Sequence, residues 1–301
     1  MAKAKIAVVG AGLMGHGIAQ VFALAGHDVT ITDSVAQSLA TAKSRIAANL
    51  RDLGDDETAT SRVTPCADLT DAVRDADYVV EAVSEDLPLK QQLFAAIERC
   101  VRADTVLASN TSVIPITSIM QGLQRRQRAL GTHWWNPPFL VPLVEVIETQ
   151  WTSPQVVDWT MRLHEAAGKK PAHVKKDVPG FIGNRLQHAL WREAISLVEQ
   201  GICDAETVDA VIKASFGRRL AVLGPLENAD LVGTDLTLAI HNIVLPAIDN
   251  RPGPSPYLQK LVAEGKLGFK SGEGFRKWSA EQQATLRSKV LQHLKAARED
   301  D

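Results

Sequence analysis

Lys5-Ile-Ala-Val-Val9 runs directly into Gly10-Ala-Gly12-Leu13-Met14-Gly15, and Asp33 ends the next apolar run, Asp28-Val-Thr-Ile-Thr32. A β-rich run, a glycine turn and a helical pattern through Ala25 make a strand–turn–helix unit. Gly10 permits the tight turn, Gly12 lets backbone approach a pyrophosphate, and Gly15 lets the helix pack on the strand. The backbone of Leu13 and Met14 then opens the helix, whose N-terminal N–H groups and partial positive charge suit phosphates. Asp33 can accept both ribose hydroxyls and would repel a 2′-phosphate, so the expected cofactor is NAD rather than NADP. The competing reading is a glycine turn that merely joins core elements. His16 is expected to face solvent rather than phosphate.

Working outward, residues 1–177 alternate β-rich runs with helical patterns. The strand candidates are Lys5–Val9, Asp28–Thr32, Tyr78–Ala82, Thr105–Ala108, Ala129–His133, Leu143–Glu148 and Pro171–Lys175. Several are apolar on both faces, as a parallel sheet covered by helices requires. Helices are expected over Gly15–Ala25, Ser34–Leu53 and Leu89–Cys100. The rhythm predicts an α/β fold, an N-terminal Rossmann-type doubly wound domain. After Lys176 the texture changes, and residues 178–301 predict an all-α domain. Asp177 is an N-cap candidate for a helix over Phe181–Gln200 that ends at Gly201, Asp204 caps the next, and Ser279-Ala-Glu-Gln282 resembles a capping box.

Composition removes several classes of function. A formal net charge of −2 over 301 residues provides no basic field for nucleic acid or an acidic membrane. No apolar run approaches the roughly 20 residues a membrane helix needs. The start Met1-Ala-Lys3-Ala-Lys5 superficially resembles a signal peptide, but the glycines that follow favour a buried strand and turn. Cys66, Cys100 and Cys203 are far apart and form no CxxC pair, so neither a disulfide framework nor a metal site is expected. A cytoplasmic protein is the expectation.

The chemistry centres on Gly131-Thr-His133-Trp-Trp-Asn136-Pro-Pro and on Glu145 in the apolar run Leu143-Val-Glu-Val-Ile147. Hydride transfer from an alcohol needs a group that takes the hydroxyl proton, and a histidine titrates near neutrality. An unpaired carboxylate in an apolar strand costs several kcal/mol, on the order of typical transfer values, so Glu145 wants a partner such as an imidazole. Ser109-Asn110-Thr111-Ser112 follows a strand, and Asn184 lies on the first helix after the domain junction. Ser112 and Asn184 could equally be caps or turn residues. Trp134 and Trp135 read as packing, with one of them able to wall a substrate pocket. Glu85 and Lys90 could be a solvated pair at a helix start.

At these residues the chain resembles the 3-hydroxyacyl-CoA dehydrogenase family. The matching motifs are Gly10–Gly15; Val80-Glu-Ala-Val-Ser-Glu85 with Lys90; Ser109–Ser112; His133 with Asn136-Pro; Leu143-Val-Glu145; Asp177-Val-Pro-Gly-Phe-Ile-Gly-Asn184-Arg; and Gly268-Phe-Lys-Ser-Gly-Glu-Gly-Phe275. The resemblance implies His133 as general base, with Glu145 as its orienting and charge-stabilising partner. It implies Ser112 and Asn184 as hydrogen-bonders at the substrate oxygen, and Glu85, Lys90, Asn110 and Asn136 along the nicotinamide-ribose side of NAD. It also implies a homodimer through the helical domain; the sequence alone shows apolar helices that could be core instead.

Two departures bear on the substrate. Between Asp33 and Glu81 the chain looks shorter than acyl-CoA members usually are, where the family's helical hairpin helps hold CoA. The segment is only modestly basic, with Lys43, Arg45, Arg51 and Arg62. Phe216-Gly-Arg218-Arg219-Leu-Ala-Val-Leu-Gly224-Pro225 resembles instead the free-acid branch: L-gulonate 3-dehydrogenase (lambda-crystallin), carnitine dehydrogenase and the pyridine-carboxylate dehydrogenase relatives. Arg219 could grip a substrate carboxylate through a bidentate fork, or be a surface arginine at a helix end. The leading expectation is NAD-dependent oxidation of a small free 3-hydroxy acid. The alternatives are the L-3-hydroxyacyl-CoA reaction and a non-catalytic NAD-binding or structural role. The family with a lysine base is disfavoured, since its lysine motif is absent where the second domain begins.

Overall fold

Eight strands form one sheet in the computed structural model, which describes residues 2–299. They are β1 (Lys5–Val9), β2 (Asp28–Thr32), β3 (Val63–Pro65), β4 (Tyr78–Glu81), β5 (Val106–Ser109), β6 (Ala129–Trp134), β7 (Leu143–Ile147) and β8 (Lys170–Val174). Their order is β3-β2-β1-β4-β5-β6-β7-β8. All neighbours are parallel except β6 and β7, which are antiparallel, so the all-parallel expectation fails at that one pairing. The short return from β6 to β7 leaves no room for a crossover helix, and antiparallel pairing follows.

Alternation along β1 shows how the sheet is buried on both faces. Ile6 and Val8 enter one core with Ile18, Phe22 and Ile46, while Ala7 and Val9 enter the other with Phe94, Ile97 and Ile119. The helices that cover these faces are α1 (Leu13–Leu24), α2 (Ala36–Leu53), α3 (Leu69–Val73), α4 (Leu87–Cys100), α5 (Ile116–Met120) and α6 (Pro154–Ala166). The chain turns to β2 on one side of β1 and to β4 on the other. The crevice beyond the carboxyl ends of β1 and β4 is therefore the switch point where ligands bind in such sheets.

β3 was not legible in the sequence. It is three residues long with only Val63 buried, and its proline sits on the sheet edge, where no ladder donor is missed. After α2, Gly54 in the left-handed region ends the helix, and only a 3-10 turn (Glu57–Arg62) precedes β3. There is thus no second long helix at this place, in keeping with the short segment seen in the sequence.

The chain divides into two compact units, residues 2–185 with 292–299 and residues 186–291. The second is built from α7 (Gly183–Glu199) beyond Arg185, α8 (Ala205–Ala214), α9 (Pro225–Val232), α10 (Thr234–Val244), α11 (Pro256–Ala263) and the start of α12 (Ala280–Glu299). Asp204 caps α8 by accepting from Thr207 N at 2.7 Å. Ser279 and Gln282 form the expected reciprocal box, with Ser279 N donating to Oε1 at 2.9 Å and Gln282 N donating to Oγ at 3.1 Å. Asp177 does not cap α7. Its carboxylate instead accepts from Ile116 N (3.0 Å) and Thr117 N (2.6 Å), capping α5, because the five residues 178–182 separate it from the α7 start. Within the helical unit only Ser196 and Leu261 are buried. No helix among the described residues is long and apolar enough to cross a membrane.

Candidate active site

The register of β6 and β7 places His133 directly opposite Glu145. The two side chains meet at Nδ1–Oε2, 2.7 Å apart, with His133 4 % and Glu145 1 % exposed. An ionised carboxylate can only accept, so Nδ1 carries a proton, and in the neutral form of the ring Nε2 is the nitrogen with the lone pair. No partner touches Nε2 among the described residues. The second Glu145 oxygen accepts from Ile182 N (2.9 Å) and Gly183 N (3.0 Å), the donors that open α7. Burial pushes the Glu145 carboxyl upward, but His133 and these two N–H groups outweigh it and hold it below the usual carboxylate range.

The two tryptophans part company: Trp134 ends β6 and Trp135, just beyond it, points to the other side, as successive side chains of extended backbone do. Trp134 goes into the core beside Phe22, whereas Trp135 lies 5.3 Å from the His133 ring, centroid to centroid. Phe181 flanks the imidazole at 5.6 Å. A Cβ on Gly183 would come within 2.5 Å of the Trp135 indole, so α7 can begin here only with glycine. Asn136 stands exposed on the loop after Trp135, joined to Pro137 by a cis bond. Lys169 ties that loop down by donating to the Pro138 and Val141 carbonyls.

Beside this pair, Asn184 donates from Nδ2 to the Ser112 carbonyl at 2.9 Å. The Ser112 hydroxyl has no protein partner among the described residues. Glu85 gathers the same segment, its Oε1 accepting from Thr111 Oγ1 (2.5 Å), Ser112 N (3.0 Å) and Val113 N (3.2 Å). Burial raises the Glu85 carboxyl, but Thr111 and the Lys90 charge outweigh it and keep it low. Asn110 accepts from Trp134 N at 2.9 Å, pinning β5 to β6.

Lys90 is not the solvated residue the sequence allowed. It is 1 % exposed and donates to Glu81 Oε1 at 2.6 Å, with Glu85 at 3.4 Å. Glu81, at 0 % exposure, also accepts from Ser109 Oγ (2.6 Å) and Val83 N (2.7 Å). Sequence reasoning assigned Glu81 nothing. Its signal was available, a carboxylate ending the apolar run Tyr78-Val-Val, the same pattern that marked Glu145.

The glycine turn fits a dinucleotide. Gly10 has φ +106, and a Cβ there would stand 2.5 Å from the Ala82 carbonyl oxygen; one on Gly15 would stand 1.7 Å from Gly10 O. A Cβ on Gly12 would meet nothing within 4 Å, so the space above it is open to a ligand. Gly12 caps α1 without a side-chain bond, and no acidic residue sits in the first turn where Leu13 and Met14 lie, which leaves the donors for an anion. Asp33 ends β2 as expected, accepting from Ala11 N (2.6 Å) and Val35 N (2.7 Å). His16 is buried rather than solvent-facing, because its face of α1 packs toward α2. Arg219 lies in the helical unit just after the 3-10 turn Phe216–Arg218, exposed and with no side-chain partner among the described residues.

Comparisons with known proteins agree with this layout. The family described as "3-hydroxyacyl-CoA dehydrogenase, NAD binding domain" matches residues 5–178, and "3-hydroxyacyl-CoA dehydrogenase, C-terminal domain" matches residues 180–278. The chain is 35% identical over 300 residues to the 5-formyl-3-hydroxy-2-methylpyridine 4-carboxylate 5-dehydrogenase of Mesorhizobium japonicum, covering 97% of this chain and 96% of that one. A crystal structure of an enzyme of that name, described as an NAD+ dependent dismutase, superposes with a TM-score of 0.92 at 34% identity over 99% of this chain and 98% of that one. The mitochondrial hydroxyacyl-coenzyme A dehydrogenase of Homo sapiens is 39% identical, with 91% and 90% of the two chains covered. The L-carnitine dehydrogenase of Streptomyces griseus is 40% identical over 76% of this chain and 70% of its own.

Proposed function

The chain belongs to the 3-hydroxyacyl-CoA dehydrogenase family, an NAD-dependent oxidoreductase acting on CH–OH groups, and from that premise we propose that it oxidises a small free 3-hydroxy acid to the 3-oxo acid. The observation that carries the mechanism is the His133–Glu145 pair, with Nδ1 engaged and Nε2 open. NAD, when bound, supplies the hydride acceptor. His133 Nε2 takes the alcohol proton, and Glu145 stabilises the imidazolium that forms. Glu145 stays ionised because two N–H groups already hold it. The Ser112 hydroxyl donates to the substrate oxygen as it becomes a carbonyl, and Asn184 holds Ser112 in place through its main chain. Glu85, Lys90, Asn110 and Asn136 border the nicotinamide ribose. Of these, Lys90 acts from beneath, fixing Glu85 by charge.

A free acid rather than a CoA ester is supported by four observations. Only a 3-10 turn stands where a second long helix would help hold CoA. Three of the four cations in that region are engaged within the protein: Arg45 on the glycine turn, Arg51 on Glu57 and Arg62 on the Ala23 carbonyl. Arg219 is an exposed guanidinium with no side-chain partner among the described residues, suited to a substrate carboxylate. Two of the relatives are named for a pyridine carboxylate and for carnitine. The test is NADH formation across a panel of 3-hydroxy acids and their CoA esters, with turnover expected on a free acid. Robust oxidation of 3-hydroxybutyryl-CoA with no free acid turned over overturns the substrate assignment. NADH binding with no turnover on the whole panel favours a non-catalytic role.

A homodimer completes the helical unit in this reading. Two buried residues are far too few to hold about a hundred residues, and Leu226, Leu231 and Ile243 are 80%, 71% and 77% exposed. Sedimentation that shows a folded monomer at micromolar concentration overturns it. The three free cysteines suit a reducing compartment such as the cytoplasm.

A further inference from the structure

The underside of the glycine turn is held by a cation that the hydride chemistry does not use. Arg45, on α2, reaches across to the turn and donates from Nη2 to the Ala11 carbonyl at 2.5 Å and from Nη1 to the Gly12 carbonyl at 3.4 Å. The same guanidinium is braced on its own helix by the Ser38 (2.8 Å) and Thr41 (3.4 Å) carbonyls. Its Nη1 lies 3.2 Å from His16 Nδ1, and His16 Nδ1 lies 2.7 Å from Gly12 O. No carboxylate pairs with Arg45 among the described residues.

In a trans peptide the carbonyl and the N–H point in opposite directions. The Ala11 carbonyl shares its peptide with Gly12 N–H, and the Gly12 carbonyl shares its peptide with Leu13 N–H. Drawing both carbonyls down onto Arg45 therefore turns those two N–H groups outward, into the space that Gly12 leaves open. On the other flank Asp33 holds Ala11 N at 2.6 Å, so each pole of the turn is gripped by a charge of opposite sign. Because Arg45 meets only carbonyl dipoles and the His16 imidazole on the protein, with no carboxylate to neutralise it among the described residues, its full charge remains under the site where two phosphates would lie.

We infer that Arg45, which shares the Gly12 carbonyl with the donating Nδ1 of His16, is a positioning residue for the dinucleotide pyrophosphate: it sets the polarity of the turn and adds attraction for the phosphates. The inference rests on assigning the turn to NAD. Burial, and then the Arg45 charge, hold the His16 imidazole below its usual range against the pull of the Gly12 carbonyl, so it stands beside the guanidinium uncharged.

The test is fluorescence titration of NADH, with displacement by ADP-ribose and by adenosine, on the full chain and on Arg45→Met and Arg45→Lys. Arg45→Met weakens NADH and ADP-ribose about tenfold, the worth of a hydrogen bond to a charged group, while adenosine, which lacks phosphate, loses less than twofold. Arg45→Lys recovers part of the loss, since a point charge replaces the fork but not its geometry. ADP-ribose binding within twofold of the parent in Arg45→Met overturns the inference, as does an equal loss for adenosine, which would mark a merely structural role. Should Arg45→Met fail to fold, an Arg45→Lys protein whose NADH and ADP-ribose affinities equal the parent's overturns it as well. A parent protein that does not bind NADH refutes the assignment of the turn itself, and the inference falls with it.

Discussion

Glu145→Gln is the sharpest probe of the proposed proton chemistry, because glutamine keeps nearly everything except the charge. Its amide oxygen can still accept from Ile182 N and Gly183 N, which lie 2.9 and 3.0 Å from the native carboxylate. The atom that faces His133 Nδ1, 2.7 Å away in the native pair, then becomes an NH2 donor. Two donors cannot share that contact, so the neutral imidazole moves its proton to Nε2, and the lone pair meant for the alcohol disappears. Replacing the orienting carboxylate of a base histidine by its amide costs about 10^4-fold in kcat where the wrong tautomer is enforced. Here the expected loss is about 10^3- to 10^4-fold, or about 4–5 kcal/mol of barrier. The assay is steady-state oxidation of the best free acid, with NADH affinity measured by fluorescence on the same preparation. Loss of kcat with NADH affinity within twofold is the expected result. A kcat within tenfold of the parent would show that the carboxylate does not set the tautomer, and the proton route would have to be redrawn.

Three further outcomes follow from the geometry. Gly15→Ala places a Cβ 1.7 Å from Gly10 O and should abolish NADH binding and lower Tm, whereas Gly12→Ala meets nothing within 4 Å and should weaken NADH at unchanged Tm; equal Tm losses in the two would contradict the space assignment. Lys90→Met leaves the buried Glu81 carboxylate unpaired and should destabilise by about 3–5 kcal/mol, read as urea midpoint and m-value, with the added Glu81→Gln recovering part; a strictly additive double mutant would show that the pair is not coupled. His164 is fully buried among Phe22, Tyr78 and Trp134, and burial, opposed by the Thr160 carbonyl, pushes its pKa down to about 4 from 6.5. Below pH 6.5 the unfolded chain takes up a proton that the folded one refuses, so stability falls as pH drops toward 4, by about 3 kcal/mol. His164→Phe should lose less stability than the parent across that window, and parallel melting curves would refute this.

Much of the site was legible because its chemistry leaves a mark in the chain. A carboxylate inside Leu143-Val-Glu-Val-Ile147 announced a buried partner, and the glycine turn announced its strand and helix. The same mark at Glu81 went unread, since its cation lies on the next helix with no spacing rule to join the two. Arg45 and His16 were invisible as a pair for a similar reason: their meeting depends on how α2 lies across α1, which periodicity does not encode. Asp177 was read as a cap for the wrong helix, because a cap signal names a donor-rich end nearby in sequence and not one brought near by the fold. β3 was too short and too polar to show a period.

The direct opposition of His133 and Glu145 across β6 and β7 has a consequence for fidelity of assembly. Side chains alternate faces along a strand, so a slip of one residue would set a valine, Val144 or Val146, against the histidine and carry the glutamate to the opposite face of the sheet. No intermediate register exists in which the pair is half made. A molecule whose sheet has closed correctly has therefore already assembled its acid–base pair, and one whose sheet has slipped has no weakened version of it. Folding acts as the proofreading step, and inactive misfolded chains should be separable from active ones rather than grading into them.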